Sequence, residues 1–307
     1  MPRKLLRRRG VRPQAEKRAL RPLGQFNSLF NLRASRPKKS LGQHFLMHPR
    51  IAERIVKSAE LPKDATVLEI GPGRGILTKA LLARAKKVIA VEMDAALVAE
   101  LKETFAKEIA GGRLELVHAD IRDWVGHNLN SRYSVKDGYH VIANIPYYLT
   151  GEIIRMFLEA RNQPRSMMLL VQKEVAERVA RSGKPYSAKA SKGKESLLSL
   201  SVKAYGTPRY EFTVPRGAFR PAPKVDSAVL AIRDISRRNF KNAKEEKHFF
   251  ELLHAGFAHK RKLVRNNLIR ASVISAKALQ AAGIPESARA EDLPLETWLS
   301  AGRAEFR

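Results

Sequence analysis

One apolar stretch of the sequence ends in residues that core packing alone does not require. Residues 141–148, Val-Ile-Ala-Asn-Ile-Pro-Tyr-Tyr, are predicted to form a short buried strand that stops at Asn144. Because Pro146 pushes the residue before it toward an extended backbone, the carbonyl of Ile145 should point outward beside the Asn144 amide. Two such acceptors could bind both N–H groups of an exocyclic amine. The alternative is an ordinary strand end followed by a tight turn.

A glycine-rich turn follows an earlier predicted strand. Thr66–Ile70 is predicted to be a strand, Gly71–Gly75 a turn and Ile76–Ala85 a helix. Glycines let the backbone approach a ligand closely, and a helix N-terminus offers unpaired N–H groups. The spacing is Gly-x-Gly-x-Gly, which differs from the Gly-x-Gly-x-x-Gly of dinucleotide folds. Glu69 would repel a pyrophosphate and attract a cationic ligand, so we expect S-adenosylmethionine, with its ammonium and sulfonium groups, rather than a nicotinamide cofactor.

Acidic residues follow the next two predicted strands. Lys87–Val91 is followed by Glu92, which is placed to accept both hydroxyls of a ribose. Arg113–Val117 leads to Asp120, which could accept a hydrogen bond from an adenine amino group or could simply cap a turn. The glycine-rich turn and these two acidic residues together predict a nucleoside cofactor beside Asn144.

The two predicted sites suggest one reaction. Hydrogen bonds from both N–H groups of a base amine favour a pyramidal nitrogen whose lone pair points at the methyl of the cofactor. Either Tyr147 or Tyr148 could stack on the base. Such a site acts by orientation and electrostatics, without a metal ion or a covalent intermediate. The base must leave its stack, which single-stranded or loop RNA permits at low cost.

The elements that position these residues belong to an α/β fold. Strands and helices alternate as far as Ser166–Val171 and the helix Gln172–Arg181, and Arg209–Val214 with Asp226–Ile232 are predicted to form a closing hairpin pair. Strand signals stop near Arg238. Four helices are predicted beyond it: His248–Phe257, Arg261–Ile269, Ala276–Ala281 and Leu293–Leu299.

This pattern predicts three regions along the chain. We expect a basic, mostly disordered arm over residues 1–36, a catalytic domain over 37–235 and a helical RNA-binding domain over 238–305. The arm could contact RNA, serve as a cleaved organellar transit peptide or act as a solubilising tail. Residues 181–194 are predicted to form a mobile basic loop.

Charge is the strongest signal in the composition. The 307 residues include 58 Lys+Arg and 30 Asp+Glu, a net charge of +28. Such a surface indicates a polyanionic partner, usually nucleic acid, and an anionic membrane surface is the alternative. No apolar run has the length of a membrane helix, and the absence of cysteine excludes disulfides, thiolate metal sites and cysteine nucleophiles. We therefore expect a soluble nucleic-acid-binding protein.

Eight motifs form a set that is far more specific than any one of them. They are Gly42–Leu46 (Gly-Gln-His-Phe-Leu), Glu69–Gly73, Glu92, Asp120, Asn144–Tyr147, Gln172–Val175, Phe219–Val229 and Arg261–Leu268. With this set the chain resembles the KsgA-type ribosomal RNA adenine dimethyltransferases over about residues 37–305. The resemblance implies a Rossmann-like class I S-adenosylmethionine-dependent methyltransferase sheet with a small C-terminal all-α domain. It also implies dimethylation of two adjacent adenines in the 3′-terminal hairpin of small-subunit rRNA, late in subunit assembly.

The resemblance implies roles for individual residues. Asn144, Ile145, Pro146 and Tyr147 would form the catalytic motif, in which Asn144 and the Ile145 carbonyl hold the target amine. The cofactor would contact His44, Leu46, Gly71, Gly73, Glu92, Asp120 and Asn144. Tyr147 and Phe219 would contact the target base, and Tyr148 is a further candidate for stacking on it. Independently of the resemblance, a cluster of cations around an apolar stripe predicts contact with RNA phosphates; it consists of Lys260, Arg261, Lys262 and Arg265. For the last four residues a merely solvated face is the alternative.

The implied partner is small-subunit rRNA within a pre-ribosomal particle. We expect a monomer that uses no metal and binds no membrane, in a bacterial cytoplasm or, through the basic arm, an organelle. Two departures from the family pattern are His44, where Asn is frequent, and Tyr148-Leu-Thr-Gly151, where Asn-Ile-Ser-Thr is familiar.

Three other functions remain open at this point. A methyltransferase of the resistance type would act on large-subunit rRNA instead. A catalytically idle relative would serve as a nucleic-acid-binding assembly or transcription factor. A nicotinamide-dependent oxidoreductase is disfavoured by the glycine spacing and the polycationic surface.

Overall fold

The computed structural model describes residues 42–129, 138–180 and 194–304. The predicted arm over residues 1–36 and nearly all of the predicted basic loop over 181–194 lie outside these ranges. All described residues belong to one compact unit. Among the described residues no helix is both long and apolar enough to cross a membrane.

Nine strands in the described residues form two sheets. In chain order they are β1 (Phe45–Leu46), β2 (Thr66–Ile70), β3 (Lys87–Glu92), β4 (Leu114–His118), β5 (His140–Asn144), β6 (Ser166–Gln172), β7 (Thr207–Val214), β8 (Phe219–Arg220) and β9 (Ser227–Arg233). The large sheet has the order β4-β3-β2-β5-β6-β9-β7, and β1 pairs with β8 in the small one. The α/β class is confirmed.

The large sheet is parallel over five strands and antiparallel at one edge. Strands β2 to β6 pair in parallel, whereas β9 runs antiparallel to both β6 and β7, as the predicted closing hairpin pair requires. The chain first builds outward from β2 to β4 and then crosses back to place β5 on the other side of β2. The switch point between β2 and β5 is where open α/β sheets bind ligands.

Twelve α-helices connect and follow the described strands. They are α1 (Pro49–Ser58), α2 (Ile76–Leu82), α3 (Ala95–Thr104), α4 (Ala106–Ala110), α5 (Ile121–Asn128), α6 (Thr150–Glu159), α7 (Lys173–Ala180), α8 (Leu197–Tyr205), α9 (Ala243–Phe257), α10 (Val264–Arg270), α11 (Ala276–Ala281) and α12 (Leu295–Ala304). Pro49 suits the first turn of α1, where its missing N–H would be unpaired anyway.

The C-terminal helices share one hydrophobic core with the sheet. Phe249 and Leu252 of α9 and Trp298 of α12 are buried in the same cluster as Leu68 of β2 and Val141 of β5. Whether residues 238–305 behave as a separate domain stays a prediction.

The predicted start of the second C-terminal helix is wrong by three residues. Helix α10 begins at Val264 rather than at Arg261, because the buried Asn267 donates from its amide to the carbonyls of Gly256 and His259 at 2.8 and 3.2 Å. The first bond satisfies the Gly256 carbonyl in the last turn of α9, and the second holds the turn that follows this helix. Lys260, Arg261 and Lys262 therefore lie in an exposed turn before the helix.

Candidate functional site

A cavity of about 190 Å³ lies at the carboxyl ends of β2, β3 and β5. It is lined by residues from the segment before β1, from the glycine turn and from the ends of these strands. Most of the predicted site residues line it together: His44, Gly71, Gly73, Glu92, Asp120, Asn144, Ile145, Pro146, Tyr147 and Tyr148. Residues from distant parts of the sequence thus meet at the switch point, which is where a ligand is expected.

The glycine turn forms a close-fitting floor. Gly71, Gly73 and Gly75 have positive φ angles of 62°, 58° and 75°, which L side chains rarely adopt. A Cβ added to Gly73 would lie 2.9 Å from Cδ1 of Phe45, so this position is closed to larger residues. The turn can therefore bring its backbone close to a ligand.

Glu92 lies buried at the end of β3 and braces this turn. Its Oε2 accepts from the Gly73 N–H at 3.2 Å, and its Oε1 accepts from the Asp94 N–H at 3.0 Å. Burial raises the pKa of Glu92, although these two hydrogen bonds act in the opposite direction. Each oxygen keeps a second lone pair, which leaves acceptor capacity for hydroxyl groups in the cavity.

Glu69 does not act as we expected. The side chain is 1% exposed and does not line the cavity. Burial raises its pKa to about 8, with a smaller contribution from the nearby charge of Glu92. The group is therefore largely neutral near pH 7 and does not present a carboxylate to a cationic ligand. The prediction was wrong because the side chain of a residue in a central strand points into the interior of the fold.

Asp120 forms an ion pair that the sequence did not predict. Its side chain caps α5 by accepting from the Arg122 backbone N–H at 2.9 Å, and the guanidinium of Arg122 contacts both carboxylate oxygens. The Arg122 side chain holds the pKa of Asp120 below its usual range. Both residues line the cavity.

The segment after β5 places its polar groups as a recognition site would require. The Asn144 Nδ2 donates to the backbone carbonyl of His44 at 2.9 Å. That bond leaves Oδ1 as the acceptor of the amide, next to the backbone of Ile145, which also lines the cavity. Pro146 has φ −54° and ψ 130°, and a 3₁₀ turn over Tyr147–Leu149 begins directly after it.

Tyr147 is held on two sides. Its hydroxyl lies 2.7 Å from the Ser227 Oγ, and its ring stacks on the imidazole of His44 with centroids 5.8 Å apart and an interplanar angle of 27°. Burial raises the pKa of the phenol. The ring is therefore fixed, and stacking partners must approach the face that His44 does not cover.

His44 links this segment to the loop after β8. Its Nδ1 lies 2.7 Å from the carbonyl oxygen of Pro221. Because a carbonyl can only accept, Nδ1 carries the proton and Nε2 is the acceptor in the neutral ring. Local sequence could not indicate this contact, since the two residues are 177 positions apart.

The other predicted residues lie outside the cavity lining, and Tyr148, which belongs to the lining, is at its rim. Leu46 and Phe219 are opposite each other in the β1–β8 pair and are buried, whereas Tyr148 is 65% exposed at the cavity rim. Lys260, Arg261 and Lys262 are exposed, and Arg265 pairs with Glu286 at 3.0 Å. The roles predicted for all these residues stay predictions.

Sequence reasoning missed several cavity residues. Besides Arg122, Met93 lines the cavity and is 46% exposed, which is unusual for a large apolar side chain. Its position directly after the strand-end acid Glu92 was a usable signal. Phe45 and Leu149 are two of the further lining residues that only the folded structure brings to the cavity.

Comparison with known proteins identifies relatives along almost the whole chain. The family model described as Ribosomal RNA adenine dimethylase matches residues 34–303. A protein of Dehalococcoides mccartyi named Ribosomal RNA small subunit methyltransferase A is 39% identical over 270 residues, covering 85% of this chain and 86% of the relative. A protein of Shouchella clausii with the same name is 35% identical over 264 residues, covering 83% and 85%.

Solved structures show the same fold. The 23S rRNA methyltransferase ErmE has a TM-score of 0.64 at 27% identity, covering 86% of this chain and all of its own. A dimethyladenosine transferase from Plasmodium falciparum has a TM-score of 0.66 at 24% identity, covering 84% of this chain and 96% of its own. ErmE is therefore similar to this chain in sequence and in structure, whereas the Plasmodium falciparum protein shows a shared fold.

Proposed function

Since the chain belongs to the ribosomal RNA adenine dimethylase family, we propose that it dimethylates two adjacent adenines in the 3′-terminal hairpin of small-subunit rRNA. The protein is an S-adenosylmethionine-dependent rRNA adenine dimethyltransferase with a class I methyltransferase fold. The small-subunit relatives, which match over most of their length, support this target. We further propose that it acts as a monomer on a pre-ribosomal particle.

The cavity fits the cofactor in three respects. Gly71 and Gly73 line the cavity without side chains, so their backbone can contact a ligand directly. Glu92 has acceptor capacity left for ribose hydroxyls, and Asp120 places at the cavity a carboxylate, paired here with Arg122, that could accept from an adenine amino group. His44, Gly71 and Leu46 would complete the binding site, Leu46 by packing from behind. S-adenosylmethionine supplies the methyl group, carried on a sulfonium.

The residues after β5 hold the amine that receives the methyl group. Asn144 Oδ1 and the Ile145 carbonyl each accept one N–H of the adenine amino group, which turns the nitrogen lone pair toward the cavity. Pro146 keeps the two acceptors in register, and Tyr147 stacks on the base. The work of the chain is therefore to orient the amine and to favour its pyramidal form.

Exposed groups around the cavity would recognise the RNA. We propose that Tyr148 and Phe219 lie against the target base or its neighbour, with Phe219 requiring a shift because it is buried here. Lys260, Arg261, Lys262 and Arg265 would contact phosphates at the turn before α10. Binding through phosphates must weaken steeply as salt is added.

The hydrogen bond from Asn144 to His44 carries the proposal, because it leaves the amide oxygen free to accept from an amine. The test is transfer of labelled methyl from S-adenosylmethionine to small-subunit particles that lack the modification. We expect four methyl groups per particle, on two adjacent adenines. Transfer to large-subunit RNA instead would favour the resistance-type alternative. The similarity to the 23S rRNA methyltransferase ErmE is the observation that supports this alternative. Cofactor and RNA binding without transfer would favour a non-catalytic role.

A further inference from the structure

The carboxylate of Asp120 has little acceptor capacity left. Oδ1 accepts from the Arg122 backbone N–H at 2.9 Å and from its Nε at 3.0 Å. Oδ2 accepts from Nε at 3.2 Å and from Nη2 at 2.5 Å. A carboxylate offers about four lone-pair sites. The guanidinium thus occupies the acceptor positions that the adenine amino group of a bound cofactor would need.

Arg122 lines the cavity and is only partly buried. Half of its side chain is exposed, whereas 21% of the Asp120 side chain is. The pKa of Arg122 is raised, first by its hydrogen bond to Asp120 and then by the charge of that carboxylate, with smaller contributions from Glu152 and Tyr148. The negative charge of Glu152, at the start of α6, thus also acts on the guanidinium.

We propose that Arg122 competes with the cofactor for Asp120 and that it leaves this carboxylate when the adenine amino group binds. The inference rests on the proposed function, because it takes the cavity to be the cofactor site. It assigns a positioning role to a residue outside the catalytic motif. Cofactor affinity is accordingly lower than Asp120 alone would give.

A competitor of this kind suits a repeated reaction. Dimethylation of two adenines needs four transfers, and spent cofactor must leave the cavity after each one. Return of the guanidinium to Asp120 offsets part of the cost of releasing the adenine end. Arg122 should therefore speed the step in which spent cofactor leaves the cavity and fresh cofactor replaces it.

The test is calorimetric titration of the cofactor product S-adenosylhomocysteine into the full chain. Arg122→Ala should lower its Kd about two- to fivefold, the range expected for loss of a partly exposed ion pair. The helix cap survives in this variant, because the capping donor is the backbone N–H of residue 122. Arg155→Ala, which removes an exposed arginine of α6 outside the cavity lining, should leave Kd unchanged.

A double-mutant cycle separates competition for Asp120 from a general loss of positive charge. Asp120→Asn keeps a good helix cap and should weaken binding. In the Asp120→Asn background, Arg122→Ala should not change the Kd for S-adenosylhomocysteine any further. The increase in affinity for S-adenosylhomocysteine caused by Arg122→Ala should also become smaller as salt is added, because salt screens the ion pair between Arg122 and Asp120.

Three results would overturn the inference. One is a Kd for S-adenosylhomocysteine that is unchanged or higher in Arg122→Ala. Another is a decrease in Kd that is as large in the Asp120→Asn background as in the wild-type background. Both leave the proposed function intact, since the wild-type chain still binds S-adenosylhomocysteine. Failure of the wild-type chain to bind it would overturn the proposed cofactor site and this inference together.

Discussion

The amide nitrogen of Asn144 lies 2.9 Å from the backbone carbonyl oxygen of His44. This hydrogen bond decides which end of the amide faces the cavity, because the donor end is already satisfied. An acceptor therefore remains beside the Ile145 backbone. The two residues are 100 positions apart, so the bond also fastens the segment before β1 to the end of β5.

Asn144→Ala should abolish most methyl transfer while leaving RNA affinity nearly unchanged. The change removes one of the two acceptors for the target amine, and the loss of one such group typically lowers kcat by about 10²–10³-fold. Single-turnover transfer and RNA binding should be measured on the same preparations. Asn128→Ala is the matched control, because its amide contacts the Trp124 carbonyl in α5 rather than the cavity. Near wild-type turnover in Asn144→Ala would show that the proposed mechanism is wrong.

Changes at Tyr147 should separate its ring from its hydroxyl. Tyr147→Phe keeps the ring and loses the contact with Ser227 Oγ, so we expect a small loss of activity. Tyr147→Ala also loses stacking, which is worth about 1–3 kcal/mol per base, or roughly 5- to 150-fold in KM for RNA. Ser227→Ala removes the same hydrogen bond from the other side and should match Tyr147→Phe. Equal losses in the Phe and Ala variants would contradict a stacking role.

Glu69→Gln should change how stability depends on pH. Because the pKa is about 8 in the fold and 4.5 is the ordinary value, the folded protein binds this proton more tightly than the unfolded chain. The free energy of unfolding of the wild-type protein therefore falls as pH rises from about 4.5 to about 8. Glutamine does not titrate, so the variant lacks this fall. The difference in free energy of unfolding, variant minus wild type, should therefore be larger at pH 9 than at pH 5 by on the order of a few kcal/mol.

Urea unfolding of the cofactor-free protein at pH 5 and pH 9 would measure this difference. The exposed Glu53→Gln of α1 serves as the control and should follow the wild-type profile. Parallel profiles for wild type and Glu69→Gln would show that Glu69 is ionised in the fold despite its burial.

Replacing the cations of the turn before α10 should reduce the salt dependence of RNA binding. Each phosphate contact contributes about 0.7–0.9 to the slope of log K against log salt, so the triple change Lys260→Ala, Arg261→Ala and Lys262→Ala should lower the slope by about 2–3. The matched control replaces three exposed lysines around α2 with alanine, Lys63, Lys79 and Lys86. An unchanged slope in the first variant would identify these cations as a merely solvated face.

The regular parts of the fold follow from local sequence. Strand β2 has the predicted bounds, because a short apolar run next to a glycine turn is a signal that acts over a few positions. The cap of α3 is equally local, since the Asp94 side chain accepts from the Ala96 N–H. Helix α8 was missed. Its capping box uses Ser199 where Glu or Gln is usual, and its serines resemble a loop.

Several side-chain contacts, both long-range and local, did not follow from sequence. Nothing in the motif around Asn144 indicates that its amide binds the His44 carbonyl, and nothing around Asp120 indicates that Arg122 turns back onto it. Glu69 was misjudged because its burial depends on the layers packed over β2. Motif residues can be predicted one by one, whereas their partners depend on tertiary packing.

The pairing of β1 with β8 has a consequence for the newborn chain. His44 and Pro221 are separated by 177 positions, a distance that translation covers in about 9 to 35 seconds at about 5–20 residues per second. Well before the end of this interval the emerging polypeptide contains the glycine turn, Glu92 and Asp120. It lacks the loop that contacts His44 and the serine that contacts Tyr147. A chain still attached to its ribosome therefore cannot complete its own target pocket until most of it has been synthesised.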